Sequence, residues 1–396
     1  MTGIRFPPAP GGAETHILEI SKRLKKWHEI VVFTSDLYRE IPFERMSPSM
    51  EGYSSYQGIP VRRFRAYSMG GDAHYVFIPG MIRPMLKERA DIVHAHSYGY
   101  FQVNLAAFKR LLQDDVRFIL TPHYHPEWSM AGGERRKILR KIYDSLIAKG
   151  VLDMTDAIIG VSRHEMELMS RIGFDRSKIY IIPNGIDFSL YEEIPDPEPF
   201  LKKYGLYEKK SDGWNIVMFA GRLASNKGLL QLVRTAPIVL KEHPKTLYVI
   251  VGEDAGMKES IEKEISRNDL EGNFLLTGHI KDDAMYRSAI SACDVFVLPS
   301  EYEAFGIVLA EAMACEKPCI GTNVGGIPEV ISDGETGFIV EYDDVDALAD
   351  AISTILSMED RGHSMGVKGR EKVRKLFTWD SVAGKINRLY HDVYKN

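Results

Sequence analysis

The chain has 396 residues, 44% of them hydrophobic and 27% charged, with a formal net charge of −5 at pH 7. That length exceeds what one core usually holds and suits two domains of about 200 residues each, while the acidic balance excludes the basic footprint of a general nucleic-acid binder. No run approaches the ~18–20 apolar residues that cross a bilayer, the start lacks a charged-then-apolar leader pattern, and Cys293, Cys315 and Cys319 form neither a disulfide framework nor a zinc pattern. The expectation is a cytoplasmic protein with reduced, buried cysteines.

In chain order, Met1–Arg5 is the first strand candidate, followed by the bend FPPAPGG and the helix AETHILEISKRLKKW. Strands typically run about 5–6 residues, so the first strand is short or the chain begins inside it. Either case predicts a weak central strand in the first domain. Strands follow at Ile30–Thr34, Val61–Arg65, Asp91–Ala95, Arg117–Thr121, Ala157–Val161 and Lys178–Ile182. The stretch 191–211, with Pro195, Pro197 and Pro199, reads as a linker or rim insertion. Further strands are expected at Asn215–Ala220, Leu247–Val251, Asn273–Thr277, Val295–Leu298 and Pro318–Gly321, with helices at Lys227–Glu242 and Gly256–Arg267 between them. Unbroken apolar runs such as IVMFA and LYVIV indicate strands covered on both faces, the parallel-sheet situation. The alternation implies an α/β fold of two Rossmann-like, doubly wound domains. They are assigned to 1–192 and 205–376, with 377–396 as an amphipathic helix returning to the first domain.

The strongest chemical signal is GRLASNKG, which places Arg222 and Lys227 just beyond the strand IVMFA. Ligands of open α/β sheets bind beyond the carboxyl ends of strands, and a following helix N-terminus favours anions. Two cations there suit a diphosphate, Arg as a fork and Lys as a mobile charge; the bland alternative is a solvated turn. In EYEAFGIVLAEAMA, Glu303 precedes a helix and Glu311 lies within it. The two are roughly 12 Å apart along a helix. Between them Phe305, Gly306, Ile307 and Val308 would offer backbone N–H groups. This arrangement fits a ligand with hydroxyls at each end and phosphates between. The alternative for Glu311 is a helix carboxylate paired with a lysine. Glycine loops at Gly252, Gly278 and Gly325–Gly326 each follow a strand, and the absence of a GxGxxG fingerprint counts against an oxidoreductase.

In the first half, DIVHAHS places His94 and His96 on one face of a strand end, and LTPHYHPEW does the same for His123 and His125. Four imidazoles permit a metal site, but substrate binding or strand-end packing is the preferred reading, with no metal. The triplet at 344–346 opens a helix and reads as an N-cap. The stretch ERRKILRKIYDSLIAKG carries Arg135, Arg136, Lys137, Arg140 and Lys141, with Ile138, Ile142, Leu146 and Ile147 on one helical face. It reads as a solvated helix packing by its apolar side, or as a peripheral contact of 134–150 with anionic lipid at the inner membrane face.

Taken together, GGAETHI, HAHS, TPH, IPNGID, GRLASNKG, TGHI, EAFGIVLAEAMA and GGIPE run through nearly the whole chain. In that order they resemble family 4 of the retaining glycosyltransferases (glycosyl transferases group 1), which have the GT-B fold of two Rossmann-like domains facing across a cleft. The Glu-x7-Glu pair with GRxxxxKG upstream is the specific combination. The resemblance implies that Arg222 and Lys227 hold the donor diphosphate, Glu303 contacts the transferred sugar and Glu311 the ribose. It further implies that Phe305 to Val308 serve the phosphates, that Gly278, His279 and Ile280 face the base, that His123 lies near the sugar, and that Gly11 and Gly12 close over the phosphates. The implied reaction moves a hexose or N-acetylhexosamine from a UDP- or GDP-sugar to a glycan, lipid-linked or small-molecule acceptor, with no cofactor or metal. Tyr67–Pro79 and His125–Arg136 are the expected acceptor loops. Competing readings are a nucleotide-sugar epimerase or a phosphorylase of the same fold, a non-catalytic nucleotide-sugar-binding protein, and a metal hydrolase built on His94, His96, His123 and His125.

Overall fold

The computed structural model describes residues 1–40, 42–68, 75–124, 138, 141–173 and 175–395. It divides into two compact units, Met1–Asn184 with Trp379–Asn396, and Gly185–Thr378.

The second unit is built on a six-stranded sheet. Its strands lie in the spatial order Phe274–Gly278, Thr246–Val251, Asn215–Ala220, Val295–Leu298, Cys319–Thr322 and Gly337–Val340. All neighbours are parallel. Asn215–Ala220 is buried at every position, as an unbroken apolar run demands when helices cover both faces. The chain winds outward from this strand in one direction and then, from Val295–Leu298, in the other. The order therefore reverses between these two strands, and in such sheets the reversal opens a crevice at the carboxyl edge. Gly337–Val340, with the short apolar run Phe338–Val340, was not expected.

The first unit repeats this plan with a thinner centre. Gly52–Tyr56 pairs antiparallel with Ile59–Phe64, which lies parallel to Val32–Ser35. On the other side Ile92–His96, Arg117–Thr121, Ala157–Gly160 and Ile179–Ile181 form a parallel series. Joining the halves is the first segment, in which Thr2 bridges both Phe33 and Ala95. Its hydrogen bonds include Thr2 N–H to the His94 carbonyl (2.9 Å), His96 N–H to the Thr2 carbonyl (2.9 Å), Phe33 N–H to the Met1 carbonyl (2.9 Å), Gly3 N–H to the Phe33 carbonyl (3.2 Å) and Ser35 N–H to the Ile4 carbonyl (3.3 Å). The expected short first strand is thus the segment Met1–Ile4 at the middle of the sheet. The hairpin strand Gly52–Tyr56 was missed because its positions are exposed or half-exposed and polar.

The linker reading of 191–211 is corrected. That segment folds onto the second unit as the helices Glu198–Lys203 and Tyr207–Ser211, with Tyr191, Phe200, Leu201 and Leu206 buried in its core. Prolines are tolerated there because the first helical turn has no acceptor for their missing N–H. The division falls instead at 184/185 and 378/379. Beyond it, the helix Trp379–Lys395 buries Trp379, Val382, Ala383, Ile386, Leu389, Tyr390 and Val393. That i, i+3, i+4, i+7 stripe packs with Ile20 and Leu24 of the first helix, Gly12–Leu24. All three cysteines are free and buried, and among the described residues no helix is long and apolar enough to cross a membrane.

Candidate active site

In the second unit the expected residues gather at the strand reversal. GRLASNKG leaves the end of Asn215–Ala220, and the loop 299–306 leaves the end of Val295–Leu298. The two loops are tied together by the Glu301 N–H donating to the Asn226 carbonyl (2.9 Å). Gly228 sits between them in the left-handed region at φ 64°, and a Cβ there would lie 1.8 Å from the Pro299 carbonyl oxygen. Only glycine permits this approach. Lys227 Nζ donates to Glu303 Oε2 at 2.6 Å, so two residues 76 apart in sequence form one ion pair. The GGIPE loop closes on the same point. Gly326 N–H donates to the Glu303 carbonyl at 2.8 Å, and a Cβ on Gly325 would come within 1.7 Å of that oxygen.

Gly306, at φ 88°, caps the helix Ile307–Ala314. The Phe305 ring packs edge-on against Phe377 in the core, so Phe305 offers a ligand its backbone alone. The N–H groups of Phe305, Gly306, Ile307 and Val308 have no backbone acceptor among the described residues, leaving an anion-seeking helix start. Glu311, inside this helix, accepts a hydrogen bond from the Tyr286 hydroxyl at 3.0 Å. Burial pushes its pKa up to about 7, opposed by that hydroxyl. The alternative of a lysine partner is thereby corrected: its partner is a tyrosine 25 residues upstream, which no spacing rule could have identified. Arg222 lies exposed at the loop start, Gly252 N–H donates to the Gly278 carbonyl (3.0 Å), His279 is exposed, and Ile280 packs into the core.

The first unit assembles different chemistry. His94 and His96 stack with ring centroids 4.3 Å apart, as alternation along a strand requires. The expectation of a like pair at 123 and 125 is corrected. The strand ends at Thr121, His123 turns away in the left-handed region at φ 45°, and His125 lies outside the described residues. The third ring beside His96 and His123 is His16, from the first helix, with centroids 5.6 and 5.1 Å away. Sequence reasoning missed it because the three come from separate elements. His96 Nδ1 and His123 Nε2 share a hydrogen bond at 3.2 Å, and His16 Nδ1 meets Asn184 Oδ1 of IPNGID at 2.7 Å. Burial lowers the pKa of all four rings, that of His16 to about 4. They are neutral near pH 7.

Another missed residue is Glu165. Its oxygens accept from the Tyr124 N–H (2.6 Å) and the Val161 N–H (2.7 Å), tying down the chain directly after His123. Burial pushes this carboxyl up to about 7. Gly11, at φ 150°, precedes the helix beginning at Gly12, whose first-turn Glu14 is buried and paired with Arg5 at 2.9 Å. Beside Tyr124 lies a surface pocket of about 470 Å³ whose walls include Asp144, Lys149 and Arg171.

The packed-helix reading of 134–150 is also corrected, since Ile138, Ile142, Leu146 and Ile147 are 55%, 48%, 78% and 47% exposed. Arg135, Arg136, Lys137 and Arg140 lie outside the described residues. Among the expected acceptor loops, 69–74 and His125–Arg136 do as well. Asp344 caps its helix by accepting from the Ala347 N–H (2.9 Å), as expected.

Comparison with known proteins matches both units. Residues 10–190 match the family described as Glycosyltransferase Family 4, and residues 207–372 match Glycosyl transferases group 1. The chain is 28% identical over 408 residues to alpha-maltose-1-phosphate synthase of Mycolicibacterium smegmatis, covering 98% of this chain and 97% of that protein. It is likewise 28% identical over 403 residues to N-acetyl-alpha-D-glucosaminyl L-malate synthase of Bacillus anthracis, covering 100% and 97%. The crystal structure of Anabaena HepE in complex with UDP and glucose shares the fold with a TM-score of 0.72 at 19% identity, covering 98% of each chain. With a family 4 match across its first unit, a group 1 match across its second and two Rossmann-like parallel sheets beneath them, this chain belongs to the glycosyltransferases of the GT-B fold.

Proposed function

We propose that the protein is a retaining, metal-independent hexosyltransferase that moves a hexose or N-acetylhexosamine from a UDP- or GDP-sugar to a glycan, lipid-linked or small-molecule acceptor. The observation that carries this reading is the convergence of Lys227, Glu303, the bare N–H groups before Ile307–Ala314 and Glu311 at the strand reversal of the second unit. UDP and glucose in the HepE complex, and the sugar products in the names of the two relatives, are compatible with it.

On this reading Arg222 and Lys227 bind the diphosphate, Glu311 accepts from the ribose hydroxyls and Glu303 from the sugar hydroxyls. Gly252, Gly278, His279 and Ile280 line the base side. Breaking the anomeric C–O bond leaves the electron pair on the diphosphate while the sugar gains oxocarbenium character. The two cations and the helix start stabilise that growing charge where it appears, by preorganised electrostatics, and so take the place of a divalent metal. The acceptor attacks from the face the diphosphate leaves, a donor phosphate oxygen taking its proton. Two-step retention would need a carboxylate nucleophile. Among the described residues the buried carboxylates of the first unit are already committed, Glu14 to Arg5, Asp36 to Arg45 and the Ala66 N–H, and Glu165 to two backbone N–H groups. His123 serves the sugar and Gly11–Gly12 the phosphates, while the pocket beside Tyr124 is the proposed acceptor entry. The exposed apolar face Ile138, Ile142, Leu146 and Ile147, with Lys141 and Lys149 nearby, suits peripheral contact of 134–150 with an anionic membrane face.

The test is a thermal-shift screen with UDP, GDP, ADP and their common sugars, with and without chelator. Stabilisation by one nucleotide family that ignores chelator and disappears in Glu311→Ala supports the reading. A cooperatively melting protein that responds to none of them refutes the donor site, and a covalent glycosyl-enzyme seen by mass spectrometry refutes the one-step route.

A further inference from the structure

We infer that Tyr286 is a positioning residue of the donor site, its hydroxyl aiming the Glu311 carboxylate at the ribose hydroxyls and so setting the preference for a ribonucleotide over its dideoxy counterpart. The inference deepens the donor reading proposed above and rests on it.

Its basis is one bond between two half-buried side chains from separate elements. The Tyr286 hydroxyl donates to Glu311 Oε2 at 3.0 Å, and this is the side-chain hydrogen bond that Glu311 makes among the described residues. A glutamate ends in a torsion with a broad, shallow preference, so a carboxylate left to itself samples many directions. Fixing Oε2 fixes the plane of the group and the direction of its remaining lone pairs. An ionised carboxylate has about four acceptor sites; the tyrosine takes one and leaves enough for a vicinal pair of hydroxyls.

Both partners are themselves held. The helix Asp283–Ala292 is capped by Asp282, which accepts from the Ala284 and Met285 N–H groups at 2.9 and 3.3 Å. It is pinned again at Ser288 Oγ, which accepts from the Phe200 N–H at 3.1 Å. At the end of the helix bearing Glu311, Arg370 donates to the Ala314 carbonyl and, at 2.6 Å, to the Tyr191 carbonyl. A bond between two fixed helices is in place before any ligand arrives. The position along the chain fits the role as well. On the proposed reading Gly278, His279 and Ile280 line the base side, and the helix that follows them carries Tyr286 in its first turn. One element thus passes from base to ribose.

The surrounding charge keeps the phenol a donor. Burial and the adjacent carboxylate raise Tyr286 well above its usual value, so it stays protonated through neutral pH, and its bond opposes the burial that raises Glu311 to about 7. The other titratable groups facing Glu311 are Asp283 and Arg287 on the tyrosine's helix, Tyr191, and Cys315 just past its own helix.

The experiment titrates the full chain with UDP, GDP and their 2′,3′-dideoxy analogues by calorimetry, from about pH 6 to about pH 9, in wild type, Tyr286→Phe and Glu311→Ala. The expected result is a preference of at least ~10-fold for the ribonucleotide in wild type, falling below ~3-fold in Tyr286→Phe while dideoxy affinity holds. The pH midpoint of ribonucleotide binding should also move up in Tyr286→Phe, since nothing then opposes the burial of Glu311; a tyrosine that merely packs would change neither. An undiminished preference in a folded Tyr286→Phe, or an unmoved midpoint, overturns the inference and leaves the donor reading standing. A wild type without the preference, or a Glu311→Ala that keeps it, removes Glu311 from the ribose and the inference with it. Should Tyr286→Phe not fold, a crystal structure of the wild type with bound nucleotide decides. Tyr286 still bonded to a Glu311 that meets a ribose hydroxyl supports the role, and a tyrosine turned away overturns it.

Discussion

The two units share one winding plan and differ in how their centres are made. In the second, the central strand Asn215–Ala220 pairs over six residues with Thr246–Val251 and is wholly buried, and the loops above it hold paired charges, Lys227 against Glu303. In the first, the centre is only the short segment Met1–Ile4, hydrogen-bonded to the strands on either side, and beside it lie neutral, buried imidazoles. A parallel sheet can evidently be closed by so short a central segment when the flanking strands are each paired elsewhere. The kind of charge at the carboxyl edge is a separate choice, set by the loops.

The comparison can be broken most forcefully at the charged edge. Arg222→Ala and Lys227→Ala should each lower turnover by ~10²–10³-fold while the protein still melts cooperatively; turnover within threefold of wild type would remove the second unit's loop from the reaction. A second effect separates the units by acid. His16, His94, His96 and His123 are all lowered from about 6.5, so the unfolded chain takes up protons as pH falls below about 6.5 and the stability they confer is lost toward about 4. Glu165, raised to about 7, works the other way, since its stabilisation is present below about 4.5 and lost as pH rises through 7; raised Glu14 and Asp36 act in the same sense. Four rings, joined by the buried Met1 ammonium lowered to about 5, outnumber these, so the first unit should lose stability as pH falls from 6.5 to 5. Hydrogen exchange resolved by unit checks this, and equal acid sensitivity in both units would contradict it.

Gly325→Ala comes next. A left-handed φ of 57° and a Cβ overlapping the Glu303 carbonyl should destabilise the second unit by about 1–3 kcal/mol from backbone strain alone, read as a drop in urea midpoint. Gly12→Ala, where a Cβ meets nothing within 4 Å, should stay near neutral. The mildest effect is titration of the donor site. Because the Glu311 carboxyl is raised to about 7 and accepts from the ribose hydroxyls with both oxygens, and most strongly, only when ionised, nucleotide affinity should weaken several-fold from pH 8 to pH 6. Glu311→Gln should flatten that dependence, and a slope unchanged in Glu311→Gln would assign the titration to another group.

Much of the fold could be read from residues because buried parallel strands announce themselves as apolar runs, and Asn215–Ala220 and Val295–Leu298 were placed to the residue. Gly337–Val340 escaped because it is short and half-exposed at the sheet edge. Residues 191–211 misled because prolines mark both linkers and first helical turns, and only the burial of Phe200 distinguishes them. At the candidate site, loops following central strands were legible by position. Tyr286 and His16 were not, since each acts through a partner distant in sequence, and alternation or helical period carries no such information; Glu165 was legible only as the fourth residue of the capping spacing Ser162-x-x-Glu165, not as the partner of Tyr124.

The ion pair between Lys227 and Glu303 has a consequence for selectivity among anions. A free phosphate that captures Lys227 must part it from Glu303 and leave a half-buried carboxylate with nothing in exchange. A sugar diphosphate, on the proposed reading, compensates both partners in one act: its phosphate takes the lysine while its hydroxyls satisfy the glutamate. On that reading the pair would work as a latch that opens fully only for a ligand carrying both functions, favouring the intact donor over the nucleotide left after transfer.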